Sequence, residues 1–188
     1  MALTKVTGDG LGTVSVVTIS DGGNIGSASD TDALSISSGG ILTQSVPVVS
    51  TMHHSSQITI SDNTQTVMPF QTSSLDTHSL YDATNDRLKI TSAFNGNYFM
   101  INWRVSISGG TSGDNMQGSL RKNGSIIQQD HLFLVGDEGE QITFQGTWIG
   151  TVATNDYFDC TVFSDQSSGT RNSLTGEGNS ALTAIKLF

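Results

Sequence analysis

The side chains of this sequence best suited to chemistry are two adjacent imidazoles, His53-His54, two acidic clusters, Asp30-x-Asp32 and Asp137-Glu138-x-Glu140, and a single thiol, Cys160. Imidazoles bind transition metals, but neighbours on a strand point to opposite faces, so His53 and His54 cannot both converge on one ion. The pair is read as solvated, within a polar hinge. The acidic clusters offer hard oxygens to Ca²⁺, yet neither has the ligand spacing of a calcium loop. They are read as solvated acidic loops, calcium being the one ion they could take; otherwise no metal and no cofactor are expected. Cys160 alternates with Phe158 and Val162 and suits a small buried hydrophobe. His78 and His131 stand alone, as surface or core-edge residues. Nucleophile elbow, His-Glu-x-x-His helix, phosphate loop and Cys-x-x-Cys pair are all missing from the sequence. The stretch Gly176-Glu177-Gly178-Asn179-Ser180-Ala181 fits the dinucleotide pattern, but only seven residues follow it, too few for the βαβ unit that gives the pattern meaning. Enzymatic activity is not expected.

Charge narrows the partners. A formal charge of -9, with eight Lys and Arg in all, leaves no cationic surface for phosphates, so nucleic acid is excluded as a partner. No run approaches the roughly 18 apolar residues of a membrane span, and residues 1–5 lead into no apolar signal core.

The elements that position these groups divide the chain. All thirteen aromatic residues lie from Phe70 onward, and the first 69 residues have none. Without bulky side chains the first part cannot build a core of its own. It carries three strand-turn segments: Val17-Thr18-Ile19-Ser20-Asp21-Gly22, Leu34-Ser35-Ile36-Ser37-Ser38-Gly39 and Ile58-Thr59-Ile60-Ser61-Asp62-Asn63. Pro47 and residues 50–57 read as a hinge, giving an extended arm over 1–65 and a head over 66–188. The head alternates with period two: Phe99, Ile101, Trp103, Val105 and Ile107 face a core, and Tyr98, Met100, Asn102, Arg104 and Ser106 face outward. Ile142, Phe144 and Trp148 continue the theme, separated by turn signals such as Asn95-Gly96-Asn97 and Asn123-Gly124. The fold class is an all-β sandwich.

The order of these segments resembles the globular head of the complement C1q and tumour-necrosis-factor (TNF) superfamily. Met68-Pro69-Phe70 with Ser74-Leu75-Asp76 resembles the opening strand and bend, and Tyr81-Asp82 with Leu88-Lys89-Ile90 the segment that follows. Asn95-Gly96-Asn97-Tyr98-Phe99 matches Gly-x-Tyr-x-Phe, Leu120-Arg121-Lys122-Asn123-Gly124 the Lys-Asn-Gly hairpin, Asn155-Asp156-Tyr157 a Gly-Asp turn, and Ser180-Ala181-Leu182-Thr183-Ala184-Ile185-Lys186-Leu187-Phe188 the closing strand. Asn155 and Ala184 stand where the family commonly has Gly. The resemblance implies a ten-strand jelly roll that forms a homotrimer, with Tyr98, Met100, Tyr157 and Phe188 at the subunit contact. Tyr98 and Met100 would be costly to leave in water on an outer face.

The arm has a likeness of its own. Residues 1–8 and 26–36, with Gly39-Gly40-Ile41, are similar to N-terminal and stalk segments of tailed-bacteriophage virion proteins. Together the two resemblances imply a non-enzymatic trimer on the virion surface, made in the host cytoplasm and docked to other virion proteins through residues 1–65. A short tail fibre or spike would grip a host glycan or receptor through residues 109–117 and 164–175, with Thr111, Asp114, Asn115, Asp165 and Arg171 as contact residues. A capsid decoration protein is the alternative reading, and a polysaccharide-degrading spike a remote one.

Overall fold

The computed structural model describes residues 24–25, 34–36, 38–39, 42–44, 47–110, 113–133, 140–165 and 170–187. The chain forms two compact units, Met1–Val46 and Pro47–Phe188. In the first, β1 (Asn24–Ile25), β2 (Leu34–Ile36) and β3 (Leu42–Gln44) make an antiparallel sheet in that order. Leu34-Ser35-Ile36 is thus a strand, as its alternation predicts; the segment at Val17 lies outside the described residues.

The second unit is a sandwich of two antiparallel sheets. One is organised on β10 (Tyr98–Gly110), a strand of 13 residues. On one side β10 pairs with β13 (Glu140–Thr151); on the other it pairs first with β16 (Ala181–Lys186) and then, beyond it, with β15 (Arg171–Ser173). The order continues from β16 to β4 (Val49–His53) and β7 (Thr72–Asp76), and from β15 to β5 (Thr59–Ile60). The facing sheet runs β12 (Ser125–Phe133), β11 (Asn115–Lys122), β14 (Tyr157–Asp165), β9 (Arg87–Lys89) and β8 (Tyr81–Asp82), with β6 (Thr66–Met68) also on β14. Among the described residues helix is confined to one 3₁₀ turn, Ser92–Phe94.

The apolar sets of both sheets meet in one core that includes Phe99, Ile101, Trp103, Val105 and Ile107 from β10, Phe144 from β13, and Leu120, Phe158, Cys160 and Val162 from the facing sheet. Gly118 lets the sheets approach there: a Cβ at that position would lie 2.3 Å from Cβ of Phe144. At the open edge, Trp103 Nε1 donates to Oε1 of Gln128 at 2.9 Å, and Gln128 Nε2 donates to the Thr147 carbonyl at 2.6 Å. One glutamine thereby fastens β12 to β10 and β13.

Two of the family-like motifs lock together. Asn123 (φ 53) and Gly124 (φ 79) turn the β11–β12 hairpin, and Asn155 takes φ 68, a left-handed position that Asn tolerates where Gly is usual. Asn123 donates from Nδ2 to Asp156 Oδ1 at 2.7 Å and accepts the Tyr157 N–H at Oδ1 at 2.9 Å. Lys122 Nζ lies 2.8 Å from Asp156 Oδ2, which also accepts the Ala153 N–H.

The domain boundary differs from the sequence reading. Residues 49–53 are not a hinge but a strand hydrogen-bonded between β16 and β7, and Thr59–Ile60 belongs to the head through β15. The inward positions of this segment are Val48, Ser50, Met52 and His54, all buried. Two polar residues out of four erase the hydrophobic alternation that identifies a strand in sequence. The packed unit therefore starts at Pro47 rather than at 66. A chain beginning at Pro47 should unfold cooperatively in a thermal melt. One beginning at residue 66 lacks β4 and should show no cooperative transition.

Candidate functional site

The candidate site is the outer face of the sheet built on β10. Residues directly opposite each other on neighbouring strands share a face. Met100 is opposite both Ile149 and Ile185, and Ile185 is opposite Val49, so Ile149, Met100, Ile185 and Val49 form an apolar row across four strands. Tyr98 and Leu187 flank it, the Leu187 N–H donating to the Tyr98 carbonyl at 2.9 Å. Ile149 is 58% exposed, Tyr98 42% and Leu187 39%. A row of this kind on one face is characteristic of an interaction surface rather than scattered surface hydrophobes.

Further along the strands the face turns polar. Thr147, Asn102, Thr183 and Thr51 form the next row, with Thr147 Oγ1 donating to Asn102 Oδ1 at 2.7 Å and Thr51 and Thr183 sharing a hydrogen bond of 3.2 Å. Beyond them Arg104 and Gln145 line a depression of about 600 Å³ together with Glu177. Ser106, expected to face outward, does so but is covered by the turn at 176–180, where its Oγ meets the Asn179 carbonyl at 2.7 Å.

Other sequence-derived candidates fall elsewhere. Tyr157 sits on the opposite sheet, its ring under the Arg87 guanidinium at 3.8 Å, so it does not share a face with Tyr98 and Met100. Phe188 and Thr111 lie outside the described residues. Asp114 and Arg171 are not exposed contact residues: they are 0% and 1% exposed and form an ion pair, Arg171 Nε and Nη2 both donating to Asp114 Oδ2, the former at 2.7 Å. Arg171 lies on β15, and the pair ties that strand to the start of β11. Asn115 and Asp165 stand opposite each other at the rim, Asp165 exposed and within 3.5 Å of Asn63 Nδ2, Asn115 bonded to His131 Nε2.

His54 is also not solvated. It is fully buried, with Nδ1 2.7 Å from the Pro69 carbonyl and Nε2 2.6 Å from Ser173 Oγ. Since a carbonyl only accepts, Nδ1 carries the proton. His53 points to the other face, as strand alternation requires. His78 is half-buried, edge-on to Phe94. Cys160 is fully buried, and burial pushes its thiol well above the ordinary value. Of the acidic clusters, Asp30, Asp32, Asp137 and Glu138 lie outside the described residues, and among those described no group of three His, Cys, Asp or Glu side chains could hold a metal.

The sequence reading found Tyr98 and Met100 but not Ile149, Ile185, Leu187 or Val49. A signal for one existed: Ile149 follows Trp148 directly, so with Ile142, Phe144 and Trp148 inward it had to point out.

No family model and no curated protein matches the chain. Solved structures do. The chain is similar to a structure described as Eiger TNF from S. frugiperda, with 11% identity and a TM-score of 0.57 over 76% of this chain and 94% of that one. It is similar also to the globular domain of zebrafish complement 1qA protein, with 7% identity and a TM-score of 0.52 over 76% and 98%. At such identities the likeness concerns the fold: the second unit is a TNF-like jelly roll.

Two outcomes test this geometry. Arg171→Leu leaves the Asp114 carboxylate buried without its cation and should cost about 3–5 kcal/mol, read from denaturant unfolding. At the hairpin, burial alone would raise the Asp156 carboxyl, but hydrogen bonds from Lys122, Asn123 and the Ala153 N–H outweigh it and hold the group below its ordinary value. A carboxyl depressed on folding contributes stability above its unfolded value of about 4, and that contribution disappears as pH falls through the lower folded value. Asp156→Asn should therefore flatten the loss of stability below about pH 4; an unchanged acid slope would mean that these contacts contribute nothing.

Proposed function

We propose that this chain is a non-enzymatic homotrimer whose heads meet through the face bearing Ile149, Met100, Ile185 and Val49, and that it serves as a virion protein of a tailed bacteriophage. The observation that carries the trimer is the exposed apolar row on the outer face of the sheet built on β10. Burying apolar area is worth roughly 25 cal/mol per Å², and residues such as Ile149 and Tyr98 gain it only from a partner. A threefold arrangement of the same patch closes on itself without leaving a free copy of the surface. The TNF-like fold supports the same assembly, since the superfamily resembled by Asn95-Gly96-Asn97-Tyr98-Phe99 forms trimers through its heads.

The virion assignment rests on the likeness of residues 1–8 and 26–36 to phage N-terminal segments, and on an aromatic-free stretch that suits docking to other virion proteins by strand addition. The head then projects from the particle as a short tail fibre or spike, and the rim carrying Asn63, Asn115 and Asp165 is the part of it offered to a host glycan or receptor. Three weak contacts on one trimer add through avidity. No catalytic step and no cofactor enter this reading.

Native mass spectrometry of the full chain should give three times 19.8 kDa. Ile149→Arg places a charge in the row and should yield a folded monomer, with Tyr98→Ala weakening the trimer in the same direction. A trimer indifferent to both would move the contact to another surface. Quantitative protein analysis of particles then separates the roles: a few trimers per virion fit a fibre, whereas an abundance near that of the capsid subunit fits decoration.

A further inference from the structure

We propose that Arg104 of each copy pairs with Glu177 of its neighbour, so that a ring of three ion pairs closes the polar half of the contact and sets its register. The inference rests on the trimer reading and names the charged residues that reading requires. Arg87, Arg121 and Arg171 each have a carboxylate within their own chain: Asp82 at 3.3 Å, Asp159 at 2.6 Å and Asp114. Arg104 is the exception among the described residues. Its Nη1 donates to the Gly178 carbonyl at 2.7 Å, which fixes the guanidinium and leaves its other donors toward the depression.

Glu177 lines that same depression without meeting Arg104, and no side chain among the described residues bonds to it. The turn that carries it is fixed. The Gly176 N–H donates to the His54 carbonyl at 2.7 Å, the Ser180 N–H to the Gly176 carbonyl at 2.9 Å, and Asn179 Nδ2 to the Thr175 carbonyl at 2.8 Å. Each copy thus presents one held cation, and one carboxylate carried on a fixed turn, on the face that the apolar row would bring against another copy. Covering that face removes both charges from water, and a buried charge without a partner is strongly unfavourable. Cyclic symmetry supplies the pairing, because each copy gives its cation to one neighbour and its carboxylate to the other.

The test uses the full chain and reads the trimer-monomer equilibrium by native mass spectrometry on dilution. Arg104→Glu and Glu177→Arg should each raise the dissociation constant by about tenfold or more, and the double variant should return to within a few-fold of the parent. Equal amounts of the two single variants should form mixed trimers more readily than either forms its own. Arg104→Gln and Glu177→Gln, milder changes on the solvent side of the fold, should weaken the trimer non-additively. Single reversals without effect, or a double variant no better than the weaker single, would overturn the pair. So would rescue of Arg104→Glu by Asp130→Arg, since Asp130 is an exposed carboxylate on β12, at the edge of the facing sheet. A parent chain that is itself monomeric would instead overturn the trimer reading, before any variant is compared.

Discussion

Strand β10 must satisfy two environments at once, and the rest of the head follows from that. Its inward residues, Phe99 to Ile107, are the centre of the core, while its outward residues pass from Tyr98 and Met100 to Asn102 and Arg104. Pairing with β13 along one side and with β16 and then β15 along the other copies this gradient onto neighbouring strands through register alone. A one-residue slip of β10 would place Tyr98, Met100 and Arg104 in the core and Trp103 in water. Register is therefore strongly enforced, and the apolar row on the outer face is a consequence of the same pairing that builds the interior.

The end of the head beyond Arg104 is held by different physics. There Arg171 and Asp114 are buried against each other, His54 joins Pro69 to Ser173, and Ser173 Oγ also accepts the Ile58 N–H at 2.8 Å. These contacts are directional, and each fails outright if one partner is lost, unlike hydrophobic contacts that repack. They hold β5 and β15 beside the upper half of β10, where two-residue and three-residue strands could not stay by ladder bonds alone.

What could be read from the sequence divides along the same line. The sandwich, the alternation of β10, the Asn123-Gly124 hairpin and the inert place of Cys160 all follow from period-two patterning and turn chemistry, which are local. Strand β4 was hidden because the inward positions of residues 48–54 include Ser50 and His54, and the His54 imidazole is buried on partners 15 and 119 residues away in sequence. Asp114 and Arg171 misled for the same reason: 57 residues apart, each looks like a loop charge until the fold brings them together. Polar burial is a long-range property, and composition in a short window carries no trace of it. Ile149 differs in that its local neighbours already determined its face, so the outer apolar row was partly within reach.

On the trimer reading, the gradient along the face divides the work of association. Each chain carries a formal charge of -9, so three copies repel one another, a repulsion that salt screens beyond roughly 10 Å but not at contact. Attraction must come at short range, and the apolar row supplies it without regard to direction. Such a surface alone permits sliding along or rotation about the contact, because hydrophobic burial depends on area and not on alignment. Held charges do depend on alignment. Placing Arg104, held by the Gly178 carbonyl, and Glu177, carried on a hydrogen-bonded turn, at the far end of the same face gives leverage over orientation that the same groups beside Met100 would lack. Affinity and register are then separable properties of one face, governed by different rows of the same strands.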